Sequence, residues 1–410
     1  MRALLEASFR AAVAAADPLT ILPAHVPAPP RGRTFVAAAG KAAASMALAV
    51  ERHWPAGAPL EGIALTRYGH GLPTSRLRVI EAGHPIPDDA GEAAARETLE
   101  RVRALEPNDL LLALISGGGS ALLSLPAAGI SIAELKQVTG ELLRCGATIQ
   151  EINTVRKHLS AIQGGRLAAA CRAPVLALII SDVTGDDPTH IASGPCAPDP
   201  TTCADAEAVL AKYGIATPGK FSETPKPGDP VFARVENRII ATAHRSLEAA
   251  AGVFREARVE PVILGDSITG EASEVAKVMA ALAREVRRYG TPWKPPVALI
   301  SGGECTVTVC GKGGRGGRCA EFLLSLAIEL EGDKDVWAIA ADTDGIDGSE
   351  DNAGAVLSSD ALSRSRAKGI EAKKLLAAND SYGFFAALGD LVMTGPTRTN
   401  VNDYRAILVL

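Results

Sequence analysis

The chain has 410 residues, which is too long for one ordinary hydrophobic core, so two domains are expected. Hydrophobic residues make up 47% of the sequence and charged residues 22%, the range of soluble globular proteins. The net charge of −5 comes with no stripe of lysine and arginine, which argues against nucleic acid as a partner, and no uncharged stretch is long enough to span a membrane.

Neither the N-terminal stretch nor the cysteines indicate a secreted protein. Glu6 and Arg10 interrupt the first apolar run, and Leu5, Phe9 and Val13 recur at helical spacing, so an amphipathic helix is predicted instead of a signal peptide. The seven cysteines are scattered, without a CxxC pair or a histidine-rich spacing. They predict reduced thiols in a cytoplasmic protein, not a disulfide framework or a zinc site.

Short apolar runs alternate along the chain with longer amphipathic segments, which predicts strands alternating with helices. The predicted strands are 34–39, 110–115, 174–180, 238–242, 260–264, 297–301 and 336–341. The predicted helices are 41–53, 89–104, 131–145, 150–171, 244–257, 270–288 and 318–331. Because the strands lack polar alternation and helices separate them, an α/β fold with doubly wound, mostly parallel sheets is predicted.

A segment rich in proline, glycine and charge, at 214–236, is the best candidate for a domain boundary. The β-α-β-α-β pattern that follows it predicts a second doubly wound domain. We therefore divide the chain into an N-terminal domain at 1–230 and a C-terminal domain at 231–410. Ligands of open α/β sheets bind beyond the carboxyl ends of the strands, so a cleft between the two domains is expected to hold the site.

Two predicted strands end on the same three residues, Ser-Gly-Gly. Glycines after a strand let backbone N–H groups approach an anion closely. A tight turn without a ligand would explain either motif alone, whereas two such turns favour binding of phosphate or carboxylate. The candidate residues are Ser116, Gly117, Gly118, Gly119 and Ser120 in the first motif and Ser301, Gly302, Gly303 and Glu304 in the second.

Lys41 follows the first predicted strand and precedes a helix, where the helix dipole disfavours a positive charge. The segment is not a Walker A loop, because Phe35 and Ala42 stand where that motif requires Gly and Ser or Thr. A locally unfavourable charge at a strand end indicates a function, such as contact with phosphate or carboxylate. An ordinary exposed lysine is the alternative.

The glycines 311, 313 and 316 form a GxGxxG pattern, and Asp342 closes the next strand where a ribose-binding acid would stand. One interpretation is therefore a dinucleotide site. Arg318 favours another, because this arginine, like Lys41, stands at a helix start where the dipole disfavours it. Two cations at two helix starts suit a phosphoryl group in transfer.

Two loops after predicted strands are rich in aspartate, which offers the hard oxygen ligands that Mg²⁺ prefers. Asx turns within the loops are the alternative explanation of any single carboxylate. The residues are Asp182, Asp186 and Asp187 in one loop and Asp342, Asp344 and Asp347 in the other.

On the fourth predicted helix, Asn153, Arg156, Lys157 and Ser160 share one face. A solvated face is the usual explanation of such a stripe. The other side is apolar, however, and a Gly-Gly pair within the predicted helix permits close approach of another backbone. The stripe is thus also a candidate for substrate binding, whereas His158 alone is more often structural than catalytic.

Several motifs together resemble those of a known family. GKAA, GHPIPD, SGGGSALL, NTVRKHLSAIQGGRLA, SDVTGDDPTHIASGP and SGGE occur in the same order as in glycerate 2-kinase of the MOFRL-containing class, and DTDGIDG and TNVND are similar to its C-terminal pattern. The resemblance covers nearly the whole chain. It implies two Rossmann-like domains with the active site in the cleft between them. It also implies transfer of the γ-phosphoryl group of ATP to the 2-hydroxyl of D-glycerate with Mg²⁺, although chains with these motifs often carry the name hydroxypyruvate reductase.

Carried over by position, the resemblance implies that Lys41 and Arg318 are active-site residues. The chain departs from the family directly after the arginine, where Cys319 and Ala320 replace the usual Asn-Gln pair. This departure bears on the substrate or the efficiency rather than on the fold.

We therefore expect an ATP-dependent kinase that phosphorylates D-glycerate to 2-phosphoglycerate, as a monomer or homodimer. The expected roles are charge neutralisation by Lys41 and Arg318, substrate orientation by Asn153, Arg156 and His158, and Mg²⁺ binding by a subset of Asp182, Asp187 and Asp344. An NAD(P)H-dependent hydroxypyruvate reductase is the alternative function. A protein that binds a sugar acid or a nucleotide without turnover is a third.

Overall fold

The structure, a computed structural model, describes residues 1–309 and 314–410, which form two compact units. One unit is residues 18–241, and the other combines residues 1–17 with residues 242–410. The boundary expected at residue 230 stays a prediction, and the change of unit in the structure follows one strand later. That strand, Val235–Ala241, pairs in parallel with the first sheet, and its Val235 and Ile239 side chains pack on the core of the first unit.

Six parallel strands form the sheet of the first unit, in the order β3-β2-β1-β4-β5-β6. They are β1 (Thr34–Ala39), β2 (Leu60–Arg67), β3 (Arg78–Ala82), β4 (Leu110–Ile115), β5 (Val175–Ile180) and β6 (Val235–Ala241). β1, β4 and β5 are buried along their whole length, as expected of parallel strands covered on both faces. The strand order reverses between β1 and β4, which is the switch point where ligands bind in doubly wound folds.

The sheet of the second unit is mixed, in the order β13-β12-β11-β14-β9-β7. Its strands are β7 (Glu260–Gly265), β9 (Val297–Gly303), β11 (Val336–Asp342), β12 (Gly354–Leu357), β13 (Leu391–Val392) and β14 (Asp403–Val409), while β8 (Gly270–Glu271) and β10 (Cys305–Thr306) form a separate pair. The predicted α/β class is confirmed. This sheet is not mostly parallel, because β14, for which no strand was predicted, lies antiparallel between β9 and β11, and β12 and β13 also pair antiparallel.

Helices connect most strands and pack on the sheets. In chain order they are α1 (Arg2–Ala14), α2 (Pro18–Ile21), α3 (Ala43–His53), α4 (Asp89–Arg103), α5 (Gly119–Leu122), α6 (Ile132–Arg144), α7 (Ile149–His158), α8 (Arg166–Ala170), α9 (Cys203–Lys212), α10 (Ala243–Glu256), α11 (Ala272–Tyr289), α12 (Arg318–Leu330), α13 (Ala361–Ala367), α14 (Ala372–Ala377) and α15 (Ser381–Leu388). Short 3₁₀ turns occupy Leu22–His25, Ile191–Ser193 and Pro230–Arg234. Among the described helices, none combines the length with the apolar composition that crossing a bilayer requires.

Local sequence signals explain several of these boundaries. The N-terminal amphipathic helix is present as α1, and its Leu5 and Phe9 are buried in the core of the second unit. α6 begins at a capping box, in which the Ser131 hydroxyl accepts the N–H of Glu134 and the Glu134 carboxylate accepts the N–H of Ser131. Two unsatisfied N–H groups of the first turn are thereby paired.

Candidate active site

The loops that follow β1 and β4 lock together at the switch point of the first sheet. The N–H of Lys41 donates to the carbonyl of Gly117 at 2.8 Å, and the N–H of Ala42 donates to the Ser116 hydroxyl at 3.1 Å. Gly40 allows this contact, because a Cβ at that position would lie 2.1 Å from Oγ of Ser116. The Ser116 hydroxyl is thus fully buried and holds the two loops in register.

Gly118 lies at the accessible part of this turn, beneath two basic side chains. Its φ is +80°, and a Cβ there would lie 2.9 Å from Nε2 of His84 and 3.3 Å from Cγ of Lys41. The amide groups of Gly117 and Gly118 donate to no protein acceptor among the described residues. Lys41, His84 and the two amides therefore form a set of donors that suits an anion.

A hydroxyl network joins the turn after β4 to α7. The Ser120 and Ser193 hydroxyl oxygens lie 2.8 Å apart, and Ser193 donates to Oδ1 of Asn153 at 3.2 Å. Because the Ser193 proton is used on Asn153, Ser120 must be the donor to Ser193. The Asn153 amide in turn donates to the carbonyl of His190 at 3.4 Å. Ser120 and Asn153 are predicted site residues, whereas Ser193, which connects them, was not predicted.

The backbone around Ser193 is strained. Ala192, Ser193 and Gly194 follow one another in the left-handed region, with φ of 51°, 57° and 55°. Such a conformation costs about 1–3 kcal/mol at each residue other than glycine. The amides of Gly164 and Gly165 hold the turn, donating to the carbonyls of Ser193 at 2.9 Å and Gly194 at 2.7 Å.

The Gly164-Gly165 pair also divides the helix that was predicted over 150–171. The single helix expected over 150–171 is two helices, α7 and α8, because Gly164 and Gly165 have positive φ of 60° and 82° and interrupt the helical hydrogen bonding. The close backbone approach that the glycines were expected to permit is confirmed by their contacts with the 193–194 turn.

Most of the polar stripe of α7 faces the protein interior. Lys157 and Asp199 form a salt bridge of 2.8 Å in which both side chains are at most 1% exposed. Although burial opposes it, hydrogen bonds from Lys157 and Thr201 hold the pKa of Asp199 below its ordinary value. Asn153 and Ser160 are buried as well. The explanation as a solvated face is therefore wrong for these three positions of the stripe.

Arg156 is the member of the stripe whose charge is not compensated. Its side chain is half-buried and makes no hydrogen bond or ion pair with any residue in 1–309 or 314–410. Burial lowers the pKa of Arg156 to about 10. It lies one turn after Asn153 on the same face of α7. A cation held away from water without a partner is unfavourable, so an anionic ligand would stabilise this position.

The other predicted residues of this unit lie apart from the hydroxyl network or are explained locally. His158 is fully buried, with Nδ1 bonded to the carbonyl of Thr154 at 2.8 Å. The structure does not bring it to Asn153 and Arg156, because it lies on a different face of α7. Asp187 is exposed and accepts the N–H of Thr189 at 2.8 Å, which is the Asx turn considered as its alternative. Asp182 is half-buried at the end of β5.

In the second unit, Arg318 is the first residue of α12 and meets three carboxylates. Nη1 lies 2.7 Å from Glu304, Nη2 lies 2.8 Å from Asp342 and Nε lies 2.9 Å from Asp403. Although burial opposes it, these carboxylates raise the pKa of Arg318 well above its ordinary value. Asp344 is buried beside them, and its N–H donates to Oδ1 of Asp342 at 3.0 Å. The side chains of Glu304, Asp342 and Asp403 thus surround one guanidinium.

The second Ser-Gly-Gly motif differs from the first in geometry. Ser301, Gly302 and Gly303 are the last residues of β9 and pair with β14, so they do not form a turn. The carbonyls of Gly302 and Gly303 accept hydrogen bonds from the buried Arg405 at 3.0 Å and 2.8 Å. The expected likeness of the two motifs is wrong because the antiparallel partner extends β9 past the serine.

The two positions after Arg318 are core positions. The Cys319 and Ala320 side chains are buried in the core of the second unit, and burial raises the pKa of the Cys319 thiol. Their N–H groups donate to the buried carboxylate of Asp347 at 3.0 Å and 2.8 Å. Gly317 makes room for this cap, since a Cβ there would lie 2.1 Å from Oδ1 of Asp347. Asp347 therefore pairs two N–H groups in the first turn of α12 and fixes the start of the helix at Arg318.

Replacing Asp347 by alanine should destabilise the protein by about 1–2 kcal/mol, the usual effect of losing a helix cap. Asp347→Asn keeps one acceptor oxygen and should lose less. Urea unfolding of the parent and both variants measures the difference. Equal stability of the parent and Asp347→Ala would show that these contacts do not stabilise α12.

The GxGxxG pattern does not have the structural setting that a dinucleotide site requires. Gly311 and Gly313 lie outside the described residues. Packing alone accounts for a glycine at position 316, since a Cβ there would lie 2.2 Å from Oγ of Ser381. β10 pairs with β8 rather than with β11, so the strands around α12 do not form a βαβ unit. Asp342, the expected ribose ligand, is bound to Arg318.

Comparison with known proteins extends these observations. Residues 4–224 match a family described as a domain of unknown function, DUF4147, and residues 297–403 match the MOFRL family. A protein of Agrobacterium vitis, named provisionally as hydroxypyruvate reductase, is 51% identical over 100% of this chain and 94% of its own length. A glycerate 2-kinase of Pyrococcus horikoshii is 41% identical over 91% of this chain and 86% of its own.

A solved structure agrees with the sequence comparison. The crystal structure of a glycerate kinase (EC 2.7.1.31) from Thermotoga maritima matches with a TM-score of 0.89 and 39% identity, covering 100% of this chain and 99% of that one. The motifs, the fold and the two family matches agree along nearly the whole length. The chain therefore belongs to the DUF4147 and MOFRL family that includes the glycerate 2-kinases.

Proposed function

We propose that this protein is an ATP-dependent kinase that phosphorylates the 2-hydroxyl of D-glycerate to give 2-phosphoglycerate. The observation that carries the proposal is the 41% identity with the Pyrococcus horikoshii glycerate 2-kinase over most of both chains. The residues of both units support it, because they supply anion donors at one place and hard oxygen ligands at another. Phosphoryl transfer depends mainly on such positioning and charge stabilisation.

The turn after β4 is the proposed phosphate site. Lys41 and the free amides of Gly117 and Gly118 would bind phosphate oxygens, and His84 lies beside the same glycine. These donors hold fixed positions because the loops after β1 and β4 are locked by hydrogen bonds. Donors that need no rearrangement stabilise the charge of the transferring group most effectively. No described residue stands out as a general base, and a loose phosphoryl-transfer transition state needs little early proton abstraction.

Arg156 and Asn153 are the proposed ligands of the glycerate carboxylate. The guanidinium of Arg156 lacks a protein partner among the described residues, and a planar carboxylate matches its paired donors. The Asn153 side chain is held in place by Ser193 and by the carbonyl of His190. The buried His158 has no place in this binding site.

The carboxylates around Arg318 fit a divalent cation. Three carboxylates face one guanidinium, and carboxylate oxygens are the donors that Mg²⁺ prefers beside phosphate oxygens. A bound Mg²⁺ would neutralise charge on the nucleotide phosphates. We propose Asp344 as its candidate ligand in this unit, while Asp182 and Asp187 of the first unit, also expected to bind Mg²⁺, stay predictions. Arg318 itself would contact the phosphoryl group in exchange for Glu304, the most exposed of its three partners.

Incubation of the purified protein with ATP, Mg²⁺ and D-glycerate tests the function, with ADP release as the readout. A parallel reaction contains hydroxypyruvate with NADH or NADPH, because two relatives bear the reductase name. ADP release that requires glycerate, with the phosphate on carbon 2 by phosphorus NMR, would support the kinase. Oxidation of NADH or NADPH without ADP release would overturn it in favour of the reductase.

Replacing Arg156 by methionine should raise the KM for D-glycerate at least about tenfold, because an ion pair or bidentate contact to a charged group contributes roughly 1.5–3 kcal/mol. The same change should raise Tm, since it removes a cation that the free protein leaves unpaired. Arg144→Met, on the exposed end of α6, is the matched control and should change neither quantity. An unchanged KM in Arg156→Met would remove this arginine from the substrate site.

A further inference from the structure

Three side chains of the first unit converge at a place that the proposed reaction does not use. His158 ends α7, Cys203 begins α9, and Glu223 lies in the loop that follows α9. Each offers one ligand atom, namely a ring nitrogen, a thiol sulfur and a carboxylate oxygen, and these atoms all lie within 4.8 Å of one another. Nitrogen, sulfur and oxygen donors in one cluster are the ligand set of borderline divalent metals.

The hydrogen bond at the far side of the ring fixes the state of His158. Nδ1 lies 2.8 Å from the carbonyl of Thr154, which can only accept, so Nδ1 carries the proton. In the neutral ring Nε2 is then a bare lone pair. It points at Oε1 of Glu223, 3.5 Å away, which is also an acceptor. Two lone pairs facing each other need a cation between them or a proton on the ring.

The burial of this nitrogen makes the arrangement costly without a partner. His158 is 0% exposed, and its Nε2 has no hydrogen-bond partner among residues 1–309 and 314–410. An unpaired buried polar atom costs roughly 1–3 kcal/mol. A backbone carbonyl on the other ring nitrogen is, moreover, the outer contact that orients metal-binding histidines. Both observations concern His158 alone and are independent of the clustering of the three residues.

We propose that His158, Cys203 and Glu223 bind one divalent transition-metal ion of the zinc type. Nε2 of His158, Sγ of Cys203 and a carboxylate oxygen of Glu223 each donate a lone pair, and the Cys203 thiol releases its proton to solvent as the metal–sulfur bond forms. Glu223 is 51% exposed at its side chain, so water has access to the fourth position of a tetrahedral site.

Lys226 is a neighbouring positive charge that opposes a cation here, and Arg166, which donates to the Glu223 carbonyl at 3.2 Å, is another. The ammonium group of Lys226 lies 2.5 Å from Oε1 of Glu223, but it also donates to the carbonyl of Thr201 and to the hydroxyl of Thr224 at 2.7 Å. These two acceptors keep Lys226 satisfied when Glu223 turns to a metal. The N–H of Cys203 donates to the second oxygen of Glu223 at 3.2 Å and keeps the carboxylate near the thiol.

The site would fasten α7 to α9 and to the following loop. α7 carries Asn153 five residues and Arg156 two residues before its end at His158, so a metal there would fix the helix that presents these two side chains. The ion has no part in the phosphoryl transfer. Its binding is therefore tested separately from activity.

Titration of the metal-free, full-length protein with Co²⁺ and then with Zn²⁺ tests the proposal. We expect one Co²⁺ per chain with the charge-transfer absorption of a thiolate–cobalt bond, and its loss on addition of one equivalent of Zn²⁺. Excess Zn²⁺ should also raise Tm, since a ligand that binds the folded state stabilises it. Cys203→Ser should abolish the absorption and weaken Zn²⁺ binding at least about tenfold, as losses of metal contacts do.

Two further variants make the outcome decisive. Cys145→Ser removes an exposed thiol elsewhere in the same unit and should bind as the parent does. Glu223→Gln changes an exposed side chain, leaves the fold intact, and should weaken Zn²⁺ binding without removing the thiolate absorption. Equal binding by the parent and Cys203→Ser would overturn the proposal. So would an absence of uptake together with NMR evidence that both nitrogens of His158 are protonated.

Discussion

Replacing Lys41 by methionine should lower kcat for ATP-dependent phosphorylation of D-glycerate by about 100–1000-fold, the usual effect of removing one donor to a charged transition state. Lys41 lies over Gly118 beside the free amides of the turn after β4, where phosphate oxygens would be bound. Its side chain is half-buried, and the loop is held by backbone and Ser116 contacts that the substitution keeps. The measurement is kcat at saturating ATP and D-glycerate.

The fold of the Lys41 variant is checked by its Tm, which should match that of the parent within a few degrees. Lys220→Met is the matched control, because this lysine belongs to the same unit and is exposed. It should retain full kcat. A Lys41→Met protein with the parent's kcat would exclude the lysine from catalysis, and a change confined to KM would make it a binding residue only.

Replacing Lys157 by methionine should destabilise the protein by about 3–5 kcal/mol, because it leaves the buried Asp199 carboxylate without its cation. Both side chains are at most 1% exposed, so water cannot take over the role of the partner. The free energy of unfolding in urea measures the loss. Lys212→Met, which breaks an exposed pair with Glu151, is the comparison and should cost no more than about 1 kcal/mol.

The double variant Lys157→Met with Asp199→Leu should recover much of this loss, because no charge then stays buried. If the single and double variants were equally unstable, lost packing rather than the unpaired carboxylate would be the cause. The parent should also lose stability in acid. The pKa of Asp199 is lower in the folded than in the unfolded protein, so its contribution is present above the unfolded value near 4 and is lost as the pH falls through the folded one.

Buried strands and capped helices were the most predictable parts of the fold. β1, β4 and β5 are continuous apolar runs, and the structure has them within one residue of the prediction. β2 and β3 were missed because charged residues and a glycine interrupt them near the sheet edge. β14 was missed because the charged Asp403 and Arg405 interrupt its first half, although the rest is an apolar run. Together with the antiparallel β12 and β13, that strand makes the second sheet mixed.

The candidate site was predictable where a motif stands directly after a strand, as with Lys41 and Gly118. It was not predictable where a role depends on a partner distant in the chain. Ser193 is a site candidate only because its hydroxyl contacts Ser120 and Asn153. Arg318 likewise forms ion pairs with three carboxylates from separate segments. The cysteines predicted no metal site because a spacing rule sees only neighbours in sequence, whereas Cys203 meets His158 and Glu223 in space.

The strained turn at 192–194 sets a limit for anyone who engineers this enzyme. Exchanging Ala192 for glycine would relax the backbone and add heat resistance, but it would also loosen the peptide that points the Ser193 hydroxyl at Ser120 and Asn153. Thermostability gained there would come at the expense of a preorganised pocket. Substitutions that raise Tm are therefore better sought at exposed helix positions away from the Ser120, Asn153 and Ser193 network.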